Sequence, residues 1–311
     1  MKPSVSVIIL VYKVEKFIEQ CARCLFEQTL EDIEYIFVDD CSPDASIEIL
    51  NRVLEDYPAR RSQVKILHNE VNRGQAFSRD RGVSAATGEY IIHCDSDDYP
   101  SKNLYETLLS KARETGADIV ICDYNILQDG NITYGRGCRR PGMDPFAAIL
   151  YGSIPAYPWN KLVLGSLYSK VAFHPVANIG EDKAVLVQLF YFASKVAFVP
   201  EPLYTYRLHD GGTCRLAGVH GLASLLGQNL SVILDFMEAN DLVRKYHWAI
   251  SAMKAEVQIN SFALPWREYI AIYPENRFRL FFIPGFPLEW KLGHLTKLLG
   301  IHGISRLFRR K

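Results

Sequence analysis

Tyr90-Ile91-Ile92-His93-Cys94-Asp95-Ser96-Asp97-Asp98-Tyr99-Pro100 is the stretch around which the chain is organised. A short apolar run, Tyr90 to Cys94, breaks into three carboxylates within four positions. Such a break is expected where a buried strand ends at a chemical site. Side chains alternate along an extended strand, so Asp95 and Asp97 fall on one side. Two carboxylates together, with a third beside them, suit a hard divalent cation, which takes oxygen ligands and carries phosphate oxygens in its open positions. The plainer reading is an acidic turn whose aspartate caps a helix starting near Ser101.

Working outward from this stretch, the first 120 or so residues alternate strand and helix. Val5 to Val11 reads as a strand buried on both faces. Val14, Phe17, Ile18, Cys21 and Leu25 follow at helical spacing. Ile33 to Val38 is a second strand, ending in Asp39-Asp40-Cys41-Ser42-Pro43-Asp44, and Ala45 to Leu54 a helix. Val64 to Leu67 is a third strand, followed by Asn72-Arg73-Gly74 and a helix from Gly74 to Ala86 that stops at Gly88. After the acidic stretch come a helix over Ser101 to Thr115 and a strand over Asp118 to Cys122. This order predicts an α/β fold, a doubly wound, mainly parallel sheet with right-handed crossovers. Ligands bind such sheets outside the carboxyl ends of the strands. Tyr12-Lys13, Asp39-Asp40, Asn72-Arg73 and Asp95 to Asp98 each follow a strand, so all four clusters are expected along one edge.

Beyond Asn125 the alternation stops. Residues 126–145 are turn-rich, with four glycines and three arginines. Trp159-Asn160-Lys161 follows, then Asn178-Ile179-Gly180-Glu181-Asp182 leading into an apolar helix over Lys183 to Ser194. Val196 to Val199 is a short strand, Tyr204 to His209 a polar-aromatic run, and Gly211-Gly212 a break. From about Leu216 the pattern is helical without evident chemistry, which predicts a carboxyl-terminal helical extension. The segment Phe278 to Lys311 mixes Phe281, Phe282, Ile283, Phe286, Leu288 and Trp290 with Lys291, Lys297, Arg306, Arg309, Arg310 and Lys311. Such a basic amphipathic tail suits either an anionic membrane surface or packing on the domain with a solvated end.

Composition narrows the classes. The 311 residues carry 35 basic and 35 acidic side chains, and zero net charge argues against a nucleic-acid binder working through a broad basic surface. The amino terminus lacks the pattern of a secretory signal, and no apolar run is long enough to span a bilayer. Seven cysteines are scattered and odd in number. Cys21 and Cys24 sit in a helical pattern with no second metal-ligand pair, so core packing is expected of them. A reducing cytoplasm is the expected compartment.

Taken in order, these motifs resemble a family 2 glycosyltransferase of the GT-A fold. The resemblance covers roughly Ser4 to Gly212: Tyr12 with Val14-Glu15, Gln28-Thr29, Val38-Asp39-Asp40-Cys41-Ser42-Pro43-Asp44, Asn72-Arg73-Gly74 with Arg79, Gly88-Glu89-Tyr90-Ile91, Asp95-Ser96-Asp97-Asp98, Trp159-Asn160-Lys161, Glu181-Asp182 and Leu203-Tyr204-Thr205-Tyr206-Arg207. The chain departs from the family at Leu10-Val11-Tyr12-Lys13, where Pro-Val-Tyr-Asn is usual, and at Ser78-Arg79-Asp80, where Ala-Arg-Asn is usual. It has no Gln-x-x-Arg-Trp motif, so it does not resemble a processive polysaccharide synthase.

The resemblance implies an inverting, metal-dependent enzyme. It would move one hexosyl or N-acetylhexosaminyl unit from a nucleotide sugar, UDP-linked, to a glycan or lipid-linked glycan acceptor in surface-polysaccharide synthesis. It implies a nucleotide site of Tyr12, Asp39, Asp40, Asn72, Arg73, Arg79 and Asp95, with Asp40 accepting from the uracil N3–H. Asp97 and Asp98 would hold Mn²⁺ or Mg²⁺. Asp182 would be the general base, its pKa lowered by a helix amino terminus and the nearby metal. Trp159, Asn160, Lys161 and Glu181 would line the acceptor and sugar pocket, and Arg207 and His209 would approach the phosphates. The expected division is a catalytic domain over 1–212, split at 125/126 into nucleotide-sugar and acceptor halves, and an extension over 213–311. The location implied is cytoplasmic, with peripheral contact at the inner membrane face. Two other readings stand beside this one: a nucleotide-sugar binder that has lost catalysis, and a metal-dependent nucleotidyltransferase, which would need a Gly-rich, basic phosphate loop after the first strand, where this chain has Leu10-Val11-Tyr12-Lys13. No G-x-G-x-x-G follows that strand either, which argues against a nicotinamide dehydrogenase.

Overall fold

Four apolar segments become the parallel half of a single sheet in the computed structural model, which describes residues 2–140, 142–172, 174–209, 218–284 and 286–300. They are β1 (Val5–Val11), β2 (Ile33–Asp39), β3 (Val64–His68) and β4 (Tyr90–Asp95), in the order β3-β2-β1-β4. The helices between them are α1 (Ile18–Phe26), α2 (Ser46–Glu55) and α3 (Gln75–Ala85), and α4 (Leu104–Thr115) follows β4. Alternation sorts the strand residues. Val5, Val7, Ile9 and Val11 share a core with Cys21 and Leu25 of α1, Leu50 of α2 and Leu108 of α4. Ile8, Ile36 and Val38 pack instead with Val83 and Ala85 of α3. Both faces are covered, which is why these strands read as unbroken apolar runs. The parallel register sets Val11 beside Asp39, Asp39 beside His68 and Leu10 beside Asp95. The four polar clusters therefore do share one edge.

The other half is mixed. β5 (Tyr99–Pro100), β6 (Ile119–Gln128), β7 (Asn131–Gly135), β8 (Lys161–Leu164) and β9 (Val196–Leu208) extend the order to β3-β2-β1-β4-β8-β6-β9-β5, with β7 on β6. β8, unexpected from sequence, runs antiparallel between β4 and β6. β6 and β9 pair in parallel well beyond the short strands expected of them, through a register shift at Cys122–Tyr124. The expected division at 125/126 falls inside β6.

The remaining helices are α5 (Pro145–Leu150), α6 (Glu181–Phe192), α7 (Gly218–Ala239), α8 (His247–Asn260), α9 (Trp266–Ala271) and α10 (Leu288–Leu298). Ile119, Ile121 and Val163 join Leu186, Leu189 and Phe190 of α6, Ile233 and Phe236 of α7 and Met253 of α8 in a second core. Helices α7 and α8 thus share a core with residues 119–190. Gly211-Gly212, the 212/213 boundary and the tail residues Arg306, Arg309, Arg310 and Lys311 lie outside the described residues. No helix among the described residues is long and apolar enough to cross a membrane.

Candidate active site

The loop after β2 is stitched to the loop after β1 by short polar side chains. Ser42 Oγ accepts from the Lys13 backbone N–H at 2.8 Å and donates to Asp44 at 2.6 Å. Ser46 accepts from Val14 N–H at 3.1 Å, and Asp44 from Glu15 N–H at 3.1 Å. Lys13 takes a left-handed conformation, φ 55°, at this junction. Tyr12 stands at the exit of β1 with 40% of its surface exposed. The two adjacent aspartates divide the work. Asp39 accepts from Ser42 N–H and pairs with His68 Nδ1 at 2.9 Å. Asp40, 4% exposed, accepts from Asn69 Nδ2 and from the backbone N–H groups of Arg73 and Gly74, at 2.7, 2.8 and 2.8 Å. A carboxylate offers about four acceptor sites, and these bonds use three of them. The loop it clamps exposes Asn72 and Arg73, whose guanidinium lies 3.8 Å from the Phe77 ring centre.

The acidic turn after β4 splits into inward and outward groups. Asp98 is 1% exposed and accepts from Tyr204 Oη at 3.0 Å and from Arg207 N–H at 2.7 Å. Tyr204 Oη in turn accepts from Asp95 N–H at 3.0 Å, so β9 locks the turn. Burial, then the charges of Asp97 and Asp95, push the Asp98 carboxyl well above its ordinary range. Asp97 is a quarter exposed, and its Oδ2 lies 2.8 Å from His209 Nε2. Arg207 points its side chain elsewhere, between the rings of Phe17 and Tyr99 and onto Gln20.

Arg79 joins this turn to the start of α6. Its Nε lies 3.1 Å from Asp182 Oδ1 and 3.8 Å from Glu181, and its Nη2 lies 3.5 Å from Asp95 Oδ1. The Arg79 side chain is 13% exposed, at the centre of three carboxylates. α6 begins at Glu181, two residues earlier than expected, after Gly180 at φ 79°. Burial raises the pKa of Asp182 against the pull of Arg79 and Lys161. Among the protein's own groups, desolvation of the carboxylate outweighs its cationic neighbours. Burial, then Asp182, pushes Glu181 up as well. Asp95 is pushed up to about 6, by burial and then by Asp97 and Asp182 against Arg79.

Trp159, Asn160 and Lys161 stand behind the site rather than at its surface. The Trp159 indole, 2% exposed, is stacked on Tyr157 and Tyr204 with ring centres 4.8 and 4.5 Å away. Asn160 donates to Cys122 O at 2.8 Å. Lys161, 1% exposed, donates to Pro155 O, Tyr157 O and Asn160 Oδ1 at 2.7, 2.7 and 2.8 Å. Burial lowers its pKa to about 7, while three acceptors suit the ammonium form. These three residues brace the 155–161 loop.

Two asparagines to which the sequence reading assigns no role place the α6 end. Asn178 accepts from Ala76 N–H at 3.1 Å at the start of α3, so close to Gly74 that a Cβ there would meet its Nδ2 at 2.1 Å. Asn229, 1% exposed on α7, accepts from the N–H groups of Val176 and Ala177 at 3.0 and 3.3 Å and donates to Ala177 O and Ile179 O at 2.8 Å each. All the polar capacity of that amide goes to the loop that delivers Glu181 and Asp182. The only local signal for it is a polar residue on an apolar helical stretch.

Asp97 Oδ2 and His209 Nε2 put one oxygen and one nitrogen donor at the same spot. That set fits a divalent cation taking its remaining ligands from a diphosphate. It does not fit an all-protein cage, since no three His, Cys, Asp or Glu side chains converge in that way among the described residues.

With this geometry in place, comparison with known proteins gives a consistent result. The sequence profile of Glycosyl transferase family 2 matches residues 6–178, more than half of the chain, and the chain belongs to that family. A Bacillus subtilis (strain 168) relative named as a glycosyltransferase, EpsH, is 32% identical over 217 residues, covering 67% of this chain and 61% of its own length. The chain thus spans about three-fifths of that relative. Among solved structures, S. aureus TarS 1-349 in complex with UDP-GlcNAc superposes with a TM-score of 0.63 at 19% identity, covering 98% of this chain and 88% of that one. The mannosyltransferase PcManGT from Pyrobaculum calidifontis, in complex with GDP-Man and Mn²⁺, gives 0.56 at 14% identity, covering 100% and 89%. These likenesses establish the GT-A-type fold.

Proposed function

We propose that this chain transfers a single hexosyl or N-acetylhexosaminyl unit from a UDP-sugar to a glycan or lipid-linked glycan, with inversion. The observation that carries the reading is the Arg79 bridge. One guanidinium holds the nucleotide-side carboxylate Asp95 and the candidate base Asp182 within 3.5 and 3.1 Å of itself, although 87 residues separate them. A direct displacement at an anomeric carbon needs this juxtaposition: a diphosphate site on one side and a carboxylate to take the acceptor hydroxyl proton on the other. TarS holding UDP-GlcNAc in the same fold supports the choice of donor.

In this reading Tyr12 stacks against the base, and the remaining acceptor site of Asp40 takes the uracil N3–H. Asp39 supports the clamp, and Asn72 and Arg73 close over the nucleotide from their exposed loop. Asp95 and Arg79 orient the ribose and diphosphate. Asp97, with His209 beside it, is the metal-holding carboxylate, and Asp98 fixes the turn from within. A bound Mn²⁺ or Mg²⁺ supplies Lewis-acid neutralisation of the leaving diphosphate. Asp182 takes the proton from the acceptor hydroxyl; its raised pKa makes it a stronger base than an exposed aspartate. Glu181 borders the sugar, and Trp159, Asn160 and Lys161 brace the wall behind it. A lipid-linked acceptor places the protein at the cytoplasmic face of a membrane.

The test is a thermal-shift panel of UDP, GDP and ADP with and without Mn²⁺, followed by transfer assays with UDP-sugars. A ligand that binds only the folded state raises the melting temperature. UDP should do so with metal, and Asp97→Asn should remove the metal dependence. Preference for GDP would overturn the base assignment, and unchanged metal dependence in the variant would overturn the role of Asp97.

A further inference from the structure

Helices α3 and α6 each turn one face towards a cleft that reaches Asp182. Arg79 and Val83 line it from α3, and Asp182, Val185 and Leu189 from α6, in each case at the spacing of a single helical face. His93 of β4 and Tyr168 complete the lining on the sheet side. The cleft holds about 610 Å³, counting its open mouth. That lies within the range of small-molecule sites, roughly 300–1,000 Å³. Its exposed members are Asp80 and His174, whose side chains are 61 and 62% exposed and lie 3.7 Å apart, so the cleft opens beside them.

The inner end is polar and unsatisfied. Arg79 Nε, Asp182 Oδ1 and His93 Nδ1 are buried there with no hydrogen-bond partner among the described residues. Arg79 Nε and Asp182 Oδ1 lie 3.1 Å apart without the alignment of a hydrogen bond. His93 is 4% exposed, with its Nε2 3.4 Å from Tyr168 Oη. Burial, then the Arg79 charge, hold its pKa well below the ordinary value, so its imidazole is neutral. Between this end and the mouth the walls are hydrocarbon: Val83, Val171 and Val185 are half-buried against the cleft, and Leu189 is buried.

The lining decides which substrate fits. Asp95, Asp97, Tyr12, Asp40 and Arg73 are not among the described residues that line the cleft, so it belongs to the Asp182 side of the Arg79 bridge and not to the nucleotide side. A hydroxyl brought to Asp182 through it meets a carboxylate with free acceptor capacity. Whatever carries that hydroxyl meets apolar side chains, against which the other hydroxyls of a sugar ring would go unpaired.

We propose that the cleft between α3 and α6 seats an acceptor whose reacting hydroxyl is borne on a hydrocarbon skeleton, with Asp182 meeting the hydroxyl and Val83 and Val185 the hydrocarbon. This rests on the reading of Asp182 as the base and narrows the acceptor beyond it. In the transfer the hydroxyl oxygen bonds to the anomeric carbon. The bond from that carbon to the diphosphate breaks, its electron pair leaves with the diphosphate, and the hydroxyl proton passes to Asp182.

The test is calorimetric titration of the full chain with ethanol, butanol, hexanol and octanol, without donor. Affinity should rise about fourfold per methylene until the cleft is full. Val185→Phe, which fills the cleft, should weaken hexanol binding by about tenfold or more. Val83→Ser, which keeps the space and removes apolar surface, should flatten the chain-length series. Both variants should keep a cooperative thermal melt, and a thermal shift with UDP and Mn²⁺ equal to that of the wild type. Graded alcohol binding by a wild type that shows no shift with UDP would overturn the nucleotide reading and uphold the cleft. Affinity independent of chain length, or wild-type hexanol binding in both variants, would overturn the proposal. So would displacement of hexanol by UDP-GlcNAc, which would give the cleft to the donor sugar.

Discussion

Asp95 and Asp182 share one counter-ion, yet they are held by opposite means. Asp95 ends a strand whose neighbours on both sides are fixed by ladder hydrogen bonds, and Tyr204 Oη takes its N–H at 3.0 Å. Asp182 is the second residue of a helix whose entering loop has no ladder. Two amide side chains hold that loop instead, Asn178 against α3 and Asn229 from α7. The difference teaches that one half of the site is built mainly by strand pairing. The other half depends on single amide side chains. Damage to the first should therefore appear as loss of fold, and damage to the second as loss of alignment.

The largest effect should come from the group doing the chemistry. Asp182→Asn keeps the size of the side chain and removes its basicity, so transfer should fall by about 100- to 10,000-fold. The UDP thermal shift should survive; its loss would mean that the helix-borne half also holds the donor. Arg79→Met tests the bridge itself. Three carboxylates would lose their shared cation, and breaking a buried ion pair costs about 3–5 kcal/mol. Urea unfolding should show that loss together with reduced transfer. Unchanged stability would mean that the carboxylates find water instead.

Asn229→Leu sharpens the comparison most directly. The swap nearly preserves shape but leaves the backbone groups of residues 176–179 unsatisfied, which costs about 1–3 kcal/mol for a buried group. Turnover should drop more than the UDP shift, because the amide touches only the Asp182 side. Equal losses in both would show that α7 supports the whole site. The smallest effect is a pH limb. As the proposed base, Asp182 would work deprotonated, and burial raises its pKa. As pH falls, kcat/KM should therefore begin to decline above the usual carboxylate range. In Arg79→Met, which lacks a charge that lowers this pKa, the limb should move to still higher pH.

The parallel half was legible because strands covered on both faces must be apolar throughout, and a run such as Val5–Val11 has few other uses. The edge clusters were legible with it, since parallel strands place every carboxyl end on one side. β8 was not. It is four residues long and opens on Lys161, a cation that interrupts the apolar pattern and is 1% exposed in the fold because three backbone and side-chain acceptors meet it. Trp159 depends on tertiary context in the same way. An aromatic residue in a motif fits a pocket wall and a core stack equally well, and only its neighbours Tyr157 and Tyr204 decide between them.

The sequence by itself determined the alternating α/β order, the edge where ligands meet the sheet, and the residues able to act there as acids, bases and cations. Each follows from local periodicity and side-chain chemistry. Only the tertiary structure decided that Asp98 faces inward while Asp97 reaches the surface, that Arg79 joins Asp95 to Asp182, and that Asn229 holds the loop before Asp182. It also decided that α3 and α6 leave a cleft beside Asp182. Those outcomes depend on which distant groups share a desolvated space. Hydrogen-bond demand and the cost of burying charge settle that only once the chain has closed on itself.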